Sequence, residues 1–471
     1  MCYSLKFDNT YINLPENFYT LLNPTPVKEP KLVKFNTELA EHLRIKFDNL
    51  EFKNIENIFS GNQMLKGAQP LAMVYAGHQF GQWVPQLGDG RAILLGELIA
   101  KDGLRKDVQL KGSGKTPFSR MGDGRAGIGP VIREYLVSEA MHNLGVPSTR
   151  ALSIVLTGEN IIRERELPGA VLTRVANSHI RVGTFQYFAA RQDFKSLKVL
   201  TDYVINRHYP SCLSSKNRYE ELLKIILDKQ AYLVAKWMSV GFIHGVMNTD
   251  NTSIFGETID YGPCAFMDNF NFSKVFSSID HMGRYSYKNQ PEIMKWNLSC
   301  LATCLLPLIS KNEKESINIA QNVIATFDEI YEGYWLNNFR IKLGLRKKFK
   351  EDKNLINDLL NIMEKNDLDF TNTFKSLDNI KEKDILYDWK KDWLARMDKE
   401  KEVNQKRINP IYIPRNHIIE EIINEALNNN FSELHLFNKI LSKPYTFNID
   451  YKKYDKTPKT HQRVLQTFCG T

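Results

Sequence analysis

The order of the predicted secondary structure elements constrains the fold of this chain more than any single motif. From about residue 61 to 185 the sequence is rich in glycine and in short strand candidates such as "RAILLGELI" and "KDVQLKG". One strong helix, "PVIREYLVSEAMHNLG", interrupts these strands, with Pro130 in its first turn and Gly145 at its end. From about residue 186 helical periodicity dominates, most clearly in "YEELLKIILDKQAYLVAKWMSVG". The sequence therefore predicts an α+β fold in which a strand-rich half precedes a helix-rich half.

This order matches a two-lobed, protein-kinase-like fold with additions at both ends. Residues 1–60 contain several prolines and are predicted to form an irregular N-terminal extension. Residues 61–185 are predicted to form a kinase-like N-lobe, and residues 186–290 a C-lobe with a catalytic and metal-binding loop. Residues 291–471 are predicted to form a C-terminal helical region and tail.

A lysine and a glutamate in the strand-rich half are placed as in the nucleotide site of a kinase. Lys111 ends a predicted strand in which Gln109 and Lys111 face away from Val108 and Leu110. Glu134 follows 23 residues later, on the strong helix. In kinases a strand lysine contacts the nucleotide phosphates and pairs with a glutamate on the N-lobe helix. The alternative is an unrelated surface lysine and glutamate.

The polar loop "HGVMNTDN" is the most informative stretch for chemistry. His244 precedes Asn251 by seven residues, the separation between the catalytic-loop histidine and the metal-binding asparagine of a protein kinase. The position of the kinase base is Val246, which cannot accept a proton, and the acid in this loop is Asp250. The pattern therefore predicts that the metal-binding apparatus is present and that the usual base is missing. We interpret His244 as structural rather than catalytic.

A hairpin that turns at Gly256-Glu257 is predicted to follow this loop. It delivers "DYG", in which Asp260 stands where a kinase has the aspartate that binds magnesium. The side-chain oxygens of Asn251 and Asp260 are suitable ligands for Mg²⁺.

The pentapeptide "GDGRA" occurs twice, at 88–92 and at 122–126. Glycines beside a strand let backbone N–H groups approach phosphates without a Cβ in the way. The alternative for the first copy is a tight hairpin, because the G-x-G-x-x-G spacing of nucleotide-binding loops is absent. Arg174 and Arg181 are further candidates, since arginine binds phosphate oxygens in a bidentate manner, and their alternative is salt bridging on a surface strand.

Four long stretches resemble the selenoprotein O family, whose bacterial members are called YdiU. They are "YAGHQFGQWVPQLGDGRAILLGE", "QLKGSGKTPFSRMGDGRAGIGPVIREYLVSEAM", "LTRVANSHIRVGTFQYF" and "HGVMNTDNTSIFGETIDYGPCAFMD". They cover about residues 70 to 270, and the chain length and the cysteine near the C-terminus also fit. Members of this family look like kinases but bind the nucleotide in a flipped orientation.

The resemblance implies a protein adenylyltransferase that transfers AMP from ATP, or UMP from UTP, to Ser, Thr or Tyr hydroxyls of proteins and releases diphosphate. It implies Mg²⁺ or Mn²⁺ held by Asn251 and Asp260, Asp250 as the proton acceptor and Glu134 as the partner of Lys111. Both GDGRA loops would approach one triphosphate. The implied nucleotide-binding residues are Gly88, Gly90, Arg91, Lys111, Asp123, Gly124, Arg174, Arg181 and Asp260.

The cysteines favour a reducing cytoplasm over a disulfide framework, because six of them are scattered through 471 residues. Cys264 lies four residues after Asp260, and Cys469 is third from the end of the chain. A bond between them would be transient and would tether the tail near the active-site segment. The alternative is two unconnected thiols.

Several other functions are not expected. The chain has no run of about 18 apolar residues and no secretory signal, so we expect a cytoplasmic protein without a membrane span. The net charge of +9 fits phosphate-bearing partners or a lysine-rich surface, but no zinc-finger or RNP-like pattern indicates a nucleic acid partner. The remaining alternatives are a metal-dependent kinase that transfers the γ-phosphoryl group and a non-catalytic, nucleotide-binding pseudokinase scaffold.

Overall fold

The computed structural model describes residues 5–45, 52–398 and 408–468, and they form a mixed α/β protein. The strands alternate with turns in the first half of the chain, as the glycine-rich sequence predicts. The strands are β1 (Tyr19–Leu21), β2 (Lys31–Phe35), β3 (Leu71–Met73), β4 (Gly77–Gln79), β5 (Gln82–Val84), β6 (Ala92–Ile99), β7 (Arg105–Lys111), β8 (Ala126–Gly127), β9 (Arg150–Ile162), β10 (Glu166–Ala176), β11 (Phe242–Ile243) and β12 (Ala265–Phe266).

Helices dominate the second half of the chain, as the periodicity predicts. The α-helices are α1 (Thr37–His42), α2 (Phe52–Ser60), α3 (Ile128–Asn143), α4 (Val182–Ala189), α5 (Phe194–His208), α6 (Arg218–Ser239), α7 (Gln290–Ile309), α8 (Glu313–Ala325), α9 (Phe327–Leu343), α10 (Asp352–Lys365), α11 (Phe370–Lys375), α12 (Tyr387–Asp398), α13 (Asn416–Leu427) and α14 (Ser432–Leu441).

An antiparallel sheet forms the body of the first half. Its strand order is β1-β3-β6-β7-β10-β9-β2, and β8 pairs with β10. Part of the predicted N-terminal extension is regular, because β1 and β2 supply the two edges of this sheet and α1 and α2 pack on one of its faces. The boundaries at 60, 185 and 290 stay a prediction.

The two faces of the sheet have different neighbours, and this difference positions the site. Val108 and Leu110 of β7 pack into the apolar cluster with α1 and α2. Gln109 and Lys111 face the opposite side, as the alternation along the strand predicts, where α3 covers the sheet. α3 is buried on nearly every face because α13 and α14 pack on its other side. A polar side chain on its sheet side therefore points into the protein.

The hairpin predicted at Gly256-Glu257 is wrong in its pairing. Gly256 does make a turn, with a φ of +80°. The residues on either side bridge other segments instead of each other, since Ser253 pairs with Arg181 and Thr258 pairs with Ser148. Tertiary contacts of these buried flanks therefore override the local hairpin signal.

One helical stretch in the described part of the chain, Tyr287–Ile309, is long and apolar enough to cross a membrane by length and composition. Half of the most apolar part of this stretch is buried inside the protein. Its Asn297 side chain donates to the carbonyl of Met247 at 3.0 Å, so this helix supports the loop that precedes Asp250.

Candidate active site

One cavity of about 550 Å³ collects the predicted site residues from separate parts of the chain. It lies where the ends of β6, β7 and β10 meet the loop that follows β11. Glu134 stands behind Lys111 and does not line the cavity. The predicted residues on its wall are Gly88, Gly90, Arg91, Lys111, Asp123, Gly124, Arg174, Arg181, Asp250, Asn251 and Asp260.

Three cationic side chains converge on the carboxylate of Asp260. Lys111 Nζ lies 3.0 Å from Oδ1, and Arg174 Nη1 lies 2.6 Å from the same oxygen. Arg181 Nη1 donates to Oδ2 at 2.7 Å. Glu134 completes the cluster, because its carboxylate lies 2.6 Å from Lys111 Nζ and 3.3 Å from Arg174 Nη1. The lysine and glutamate predicted to pair therefore do so, and both arginines are buried rather than on a surface strand.

The charge balance of this cluster keeps Asp260 ionised. Burial raises the pKa of Asp260, but Arg174, Lys111 and Arg181 outweigh it and hold the pKa well below its usual range. Asp260 also has a left-handed backbone, with a φ of +62°. Aspartate tolerates this conformation better than most residues, and such backbone outliers concentrate at functional sites.

Asp250 is buried in the same cavity without a cation on its carboxylate. Its Oδ2 accepts a hydrogen bond from Gln79 Nε2 at 3.0 Å, and Oδ1 has no hydrogen-bond partner among the described residues. Burial raises the pKa of Asp250 to about 6, although the Gln79 bond and the nearby Arg181 act in the opposite direction. Val246 lines the cavity where a kinase base would stand, so Asp250 is the carboxylate of this loop that faces the site.

The oxygens of Asn251 and Asp260 can hold a divalent cation. Asn251 donates its Nδ2 to the carbonyl of Val246 at 3.0 Å, so its Oδ1 is the side-chain atom that remains for a ligand. Among the described residues, no group of three or more His, Cys, Asp or Glu side chains forms a metal site. A pair of oxygen ligands suits Mg²⁺, which binds through one or two protein groups together with substrate phosphates. The donor set therefore fits a nucleotide-bound cation.

The first GDGRA segment is shaped by packing. A Cβ at Gly88 would overlap the ring of Phe118, and a Cβ at Gly90 would lie 2.8 Å from the Phe118 carbonyl oxygen. Asp89 between them is buried and accepts from the backbone N–H of Met73 at 3.1 Å and from Gln109 Nε2 at 3.1 Å. Burial raises the pKa of Asp89 to about 6. These glycines thus let the segment that contains Phe118 close onto the first loop.

The second GDGRA segment has the same sequence and a different environment. Asp123 lies at the cavity wall with a side chain 43% exposed, and Arg163 binds it with two contacts of 2.9 Å. Gly124 has a φ of +70° and packs on the backbone of Gly114. The charge of Asp123 at the cavity wall is therefore balanced by an arginine from the turn between β9 and β10.

His244 has the structural role predicted for it. Its imidazole is buried and its Nε2 lies 2.8 Å from the carbonyl oxygen of Ile259, next to Asp260. Burial lowers the pKa of His244. The neutral ring therefore fixes the backbone that presents Asp260.

The C-terminal tail runs beside the segment that follows Asp260. Thr467 donates its backbone N–H to the carbonyl of Phe276 at 2.7 Å and its hydroxyl to the carbonyl of Pro263 at 2.5 Å. Cys264 is buried, and its thiol lies 3.4 Å from the carbonyl oxygen of Tyr261. Cys469 lies outside the described residues.

Three residues that bind predicted site residues were not themselves predicted from the sequence. Gln79 binds Asp250, Arg163 binds Asp123, and Gln109 accepts from Arg174 Nη2 at 2.6 Å. Gln109 follows from the strand alternation that places Lys111, so its position could have been derived. Arg163 stands in "RERE" beside an equally plausible Arg165, and no local signal distinguishes the two.

Comparison with known proteins gives consistent matches. A family model described as "Protein adenylyltransferase SelO" matches residues 1–443. The "Protein nucleotidyltransferase YdiU" of Bradyrhizobium diazoefficiens is 50% identical, with 100% of each chain covered. The protein of the same name from Rhizobium rhizogenes is 50% identical over 99% of this chain and 97% of its own length. That from Brevibacillus brevis is 49% identical over 99% and 98%.

Proposed function

This chain belongs to the SelO family of protein adenylyltransferases, and we propose that its cavity transfers AMP from ATP to Ser, Thr or Tyr hydroxyls of other proteins. UTP, with transfer of UMP, is the alternative donor. The observation that carries the proposal is the cluster of Lys111, Arg174 and Arg181 in this cavity. Valine, Val246, occupies the position of the kinase base, and a separate buried carboxylate, Asp250, lines the same cavity.

The cations explain how such a site would favour departure of diphosphate. Negative charge grows on the leaving diphosphate in the transition state, and fixed cations in a site with little water stabilise it strongly. In the flipped pose these cations would meet the β- and γ-phosphates, with further contacts from Arg91 and the two GDGRA loops. Asp250 would then accept the proton of the acceptor hydroxyl as that oxygen attacks the α-phosphorus.

We assign the cation to Asn251 and Asp260. Mg²⁺ or Mn²⁺ bound there would neutralise phosphate charge when the nucleotide is present. Asp260 would keep its contacts to Lys111, Arg174 and Arg181 and would also supply an oxygen ligand to the metal. It would therefore position both the protein cations and the metal ion against the same phosphates. Glu134 would hold Lys111 in place through their 2.6 Å contact.

We also propose that the body of the chain is a two-lobed, kinase-like fold in which this cavity is the interlobe cleft. The pairing of a strand lysine with the glutamate of α3 and the positions of Asn251 and Asp260 support it. A cytoplasmic location is proposed with it, because free thiols and nucleoside triphosphates are maintained there.

The reaction can be identified by following the phosphates of ATP. We expect label from α-labelled ATP to enter protein in the presence of Mg²⁺ or Mn²⁺, with self-modification as the first detectable product. Label from γ-labelled ATP is expected to leave as diphosphate. The measurement is protein-bound label after denaturing electrophoresis, with UTP labelled at the α position run in parallel.

Each other outcome of this experiment selects an alternative. Label that enters only from the γ position would show a kinase and contradict the flipped nucleotide. Binding of nucleotide with no label from either position would support the scaffold.

We propose further that oxidation joins Cys264 to Cys469 and changes the transfer rate. The contact of Thr467 with the carbonyl of Pro263 supports it, because it places the tail beside the residue that precedes Cys264. Two thiols would lose two protons and two electrons to an added disulfide oxidant, and an S–S bond would form. The bond would restrain the segment after Asp260.

Peptide mapping of oxidised protein tests this bond. We expect a linked peptide that reductant removes, and a transfer rate that responds to reductant in the wild type but not in Cys469→Ser. Cys300→Ser is the control and should respond as the wild type does. A rate that ignores reductant in all three proteins, without a linked peptide, would contradict the bond.

A further inference from the structure

The β4–β5 hairpin contacts the loop that contains Asp250 through its backbone. The N–H of His78 donates to Thr249 Oγ1 at 2.7 Å, and the N–H of Phe80 donates to Asn248 Oδ1 at 3.0 Å. The first N–H belongs to β4 and the second to the turn that follows it, so one residue lies between the two anchored positions. That residue is Gln79.

Gln79 makes the only side-chain hydrogen bond to the Asp250 carboxylate among the described residues. Its Nε2 donates to Oδ2 at 3.0 Å. On the other side of the carboxylate, a Cβ at Gly77 would lie 2.8 Å from Oδ1, so the carboxylate packs directly on the strand backbone. The hairpin therefore determines the orientation of Asp250 on both sides.

The hairpin itself is held in place by aromatic packing and by a polar contact. The His78 ring lies 4.9 Å from the ring of Trp83 and 5.1 Å from that of Trp296 on α7. Its Nδ1 lies 2.9 Å from Gln186 Nε2 on α4, within hydrogen-bonding distance. The Phe80 ring lies 5.1 Å from that of Tyr285. Contacts to separate elements thus fix the strand from which Gln79 reaches Asp250.

We propose that Gln79 is a positioning residue that holds the Asp250 carboxylate in the orientation needed to receive the acceptor proton. This inference rests on the proposed function. A neutral amide suits the task because it orients a carboxylate without forming an ion pair, whereas a cation would hold the carboxylate as part of a salt bridge. The neighbouring cations contact Asp260, so the two carboxylates of the cavity have partners of different charge.

Gln79→Ala tests this role. We expect the rate of transfer at saturating nucleotide to fall about 10- to 100-fold, the range for loss of a hydrogen bond to a charged group. Nucleotide affinity should stay within about twofold, because the hydrogen bond of Gln79 goes to Asp250, whereas the cations that would bind the phosphates contact Asp260. Gln82→Ala is the matched control, since Gln82 pairs with Gln79 across the hairpin and is exposed, and it should transfer at the wild-type rate.

A double-mutant cycle separates positioning from a general structural role. In an Asp250→Asn background, Gln79→Ala should lower the residual rate by less than about twofold, because the group it orients no longer accepts a proton. Equal losses in both backgrounds would overturn the inference, as would wild-type transfer by Gln79→Ala. Both of these results would leave the proposed function standing. Absence of α-label transfer by the wild type itself would overturn the proposed function, and the inference with it.

Discussion

Asp250→Asn is expected to lower nucleotide transfer by about 10²- to 10⁴-fold, the usual effect of losing a general base. The amide has nearly the same shape as the carboxylate and can still accept the hydrogen bond from Gln79. The contact from Arg181 Nη1 goes to the backbone carbonyl of Asp250 at 2.7 Å, so it does not depend on the side chain. Nucleotide affinity should therefore stay close to that of the wild type, as measured by fluorescence titration beside the α-label assay.

The control for this prediction is a carboxylate far from the cavity. Asp228 is exposed on α6 and accepts a hydrogen bond from the Tyr334 hydroxyl at 2.9 Å. Asp228→Asn should transfer at the wild-type rate. If Asp250→Asn also transfers at that rate, Asp250 is not the base, and another group must accept the proton.

The parts of the site that follow from local periodicity were predictable from the sequence. Strand alternation placed Lys111 on the face opposite Val108 and Leu110, and helix periodicity turned Glu134 towards it. Their 2.6 Å contact needs no information beyond two elements that pack together. The loop with Asp250 was also identifiable, because a kinase-like spacing with valine at the base position leaves few acids to consider.

The two GDGRA segments show why the rest was not predictable. Their sequences are identical, yet Asp89 is buried and hydrogen-bonded to the backbone of Met73, while Asp123 is half exposed and paired with Arg163. These differences come from partners on other elements, which a pentapeptide cannot specify. The same reason explains the hairpin predicted at Gly256, whose flanks pair with distant residues.

Gln79 was missed for a related reason. Its sequence neighbourhood, "AGHQFGQW", contains a second glutamine three residues later that lies in solvent. Only the approach of the hairpin to the loop at 248–250 distinguishes the two. The geometry thus adds to the sequence the identity of the groups that orient Asp250 and balance Asp123.

Asp260→Asn is expected to remove the metal-dependent part of nucleotide binding and to lower transfer by about 10²-fold or more. The change keeps the shape of the side chain and removes its charge. Lys111 and Arg174 would then share Glu134 as their remaining carboxylate partner, and Arg181 would keep Asp89 at 3.9 Å. The cluster would become more positive, so triphosphate binding without metal should be equal to that of the wild type or tighter.

Titration of ATP with and without Mg²⁺ or Mn²⁺ measures this difference. The wild type should gain affinity when the metal is added, whereas Asp260→Asn should gain little, and Asp228→Asn should behave as the wild type. Circular dichroism of the variant checks that it is folded. This control is needed because removing the charge of Asp260 weakens its contact to the buried Arg174. A variant that keeps both the metal-dependent gain and the transfer rate would show that Asp260 is not a metal ligand. The convergence of cations on this carboxylate would then serve only to hold Lys111, Arg174 and Arg181 in position.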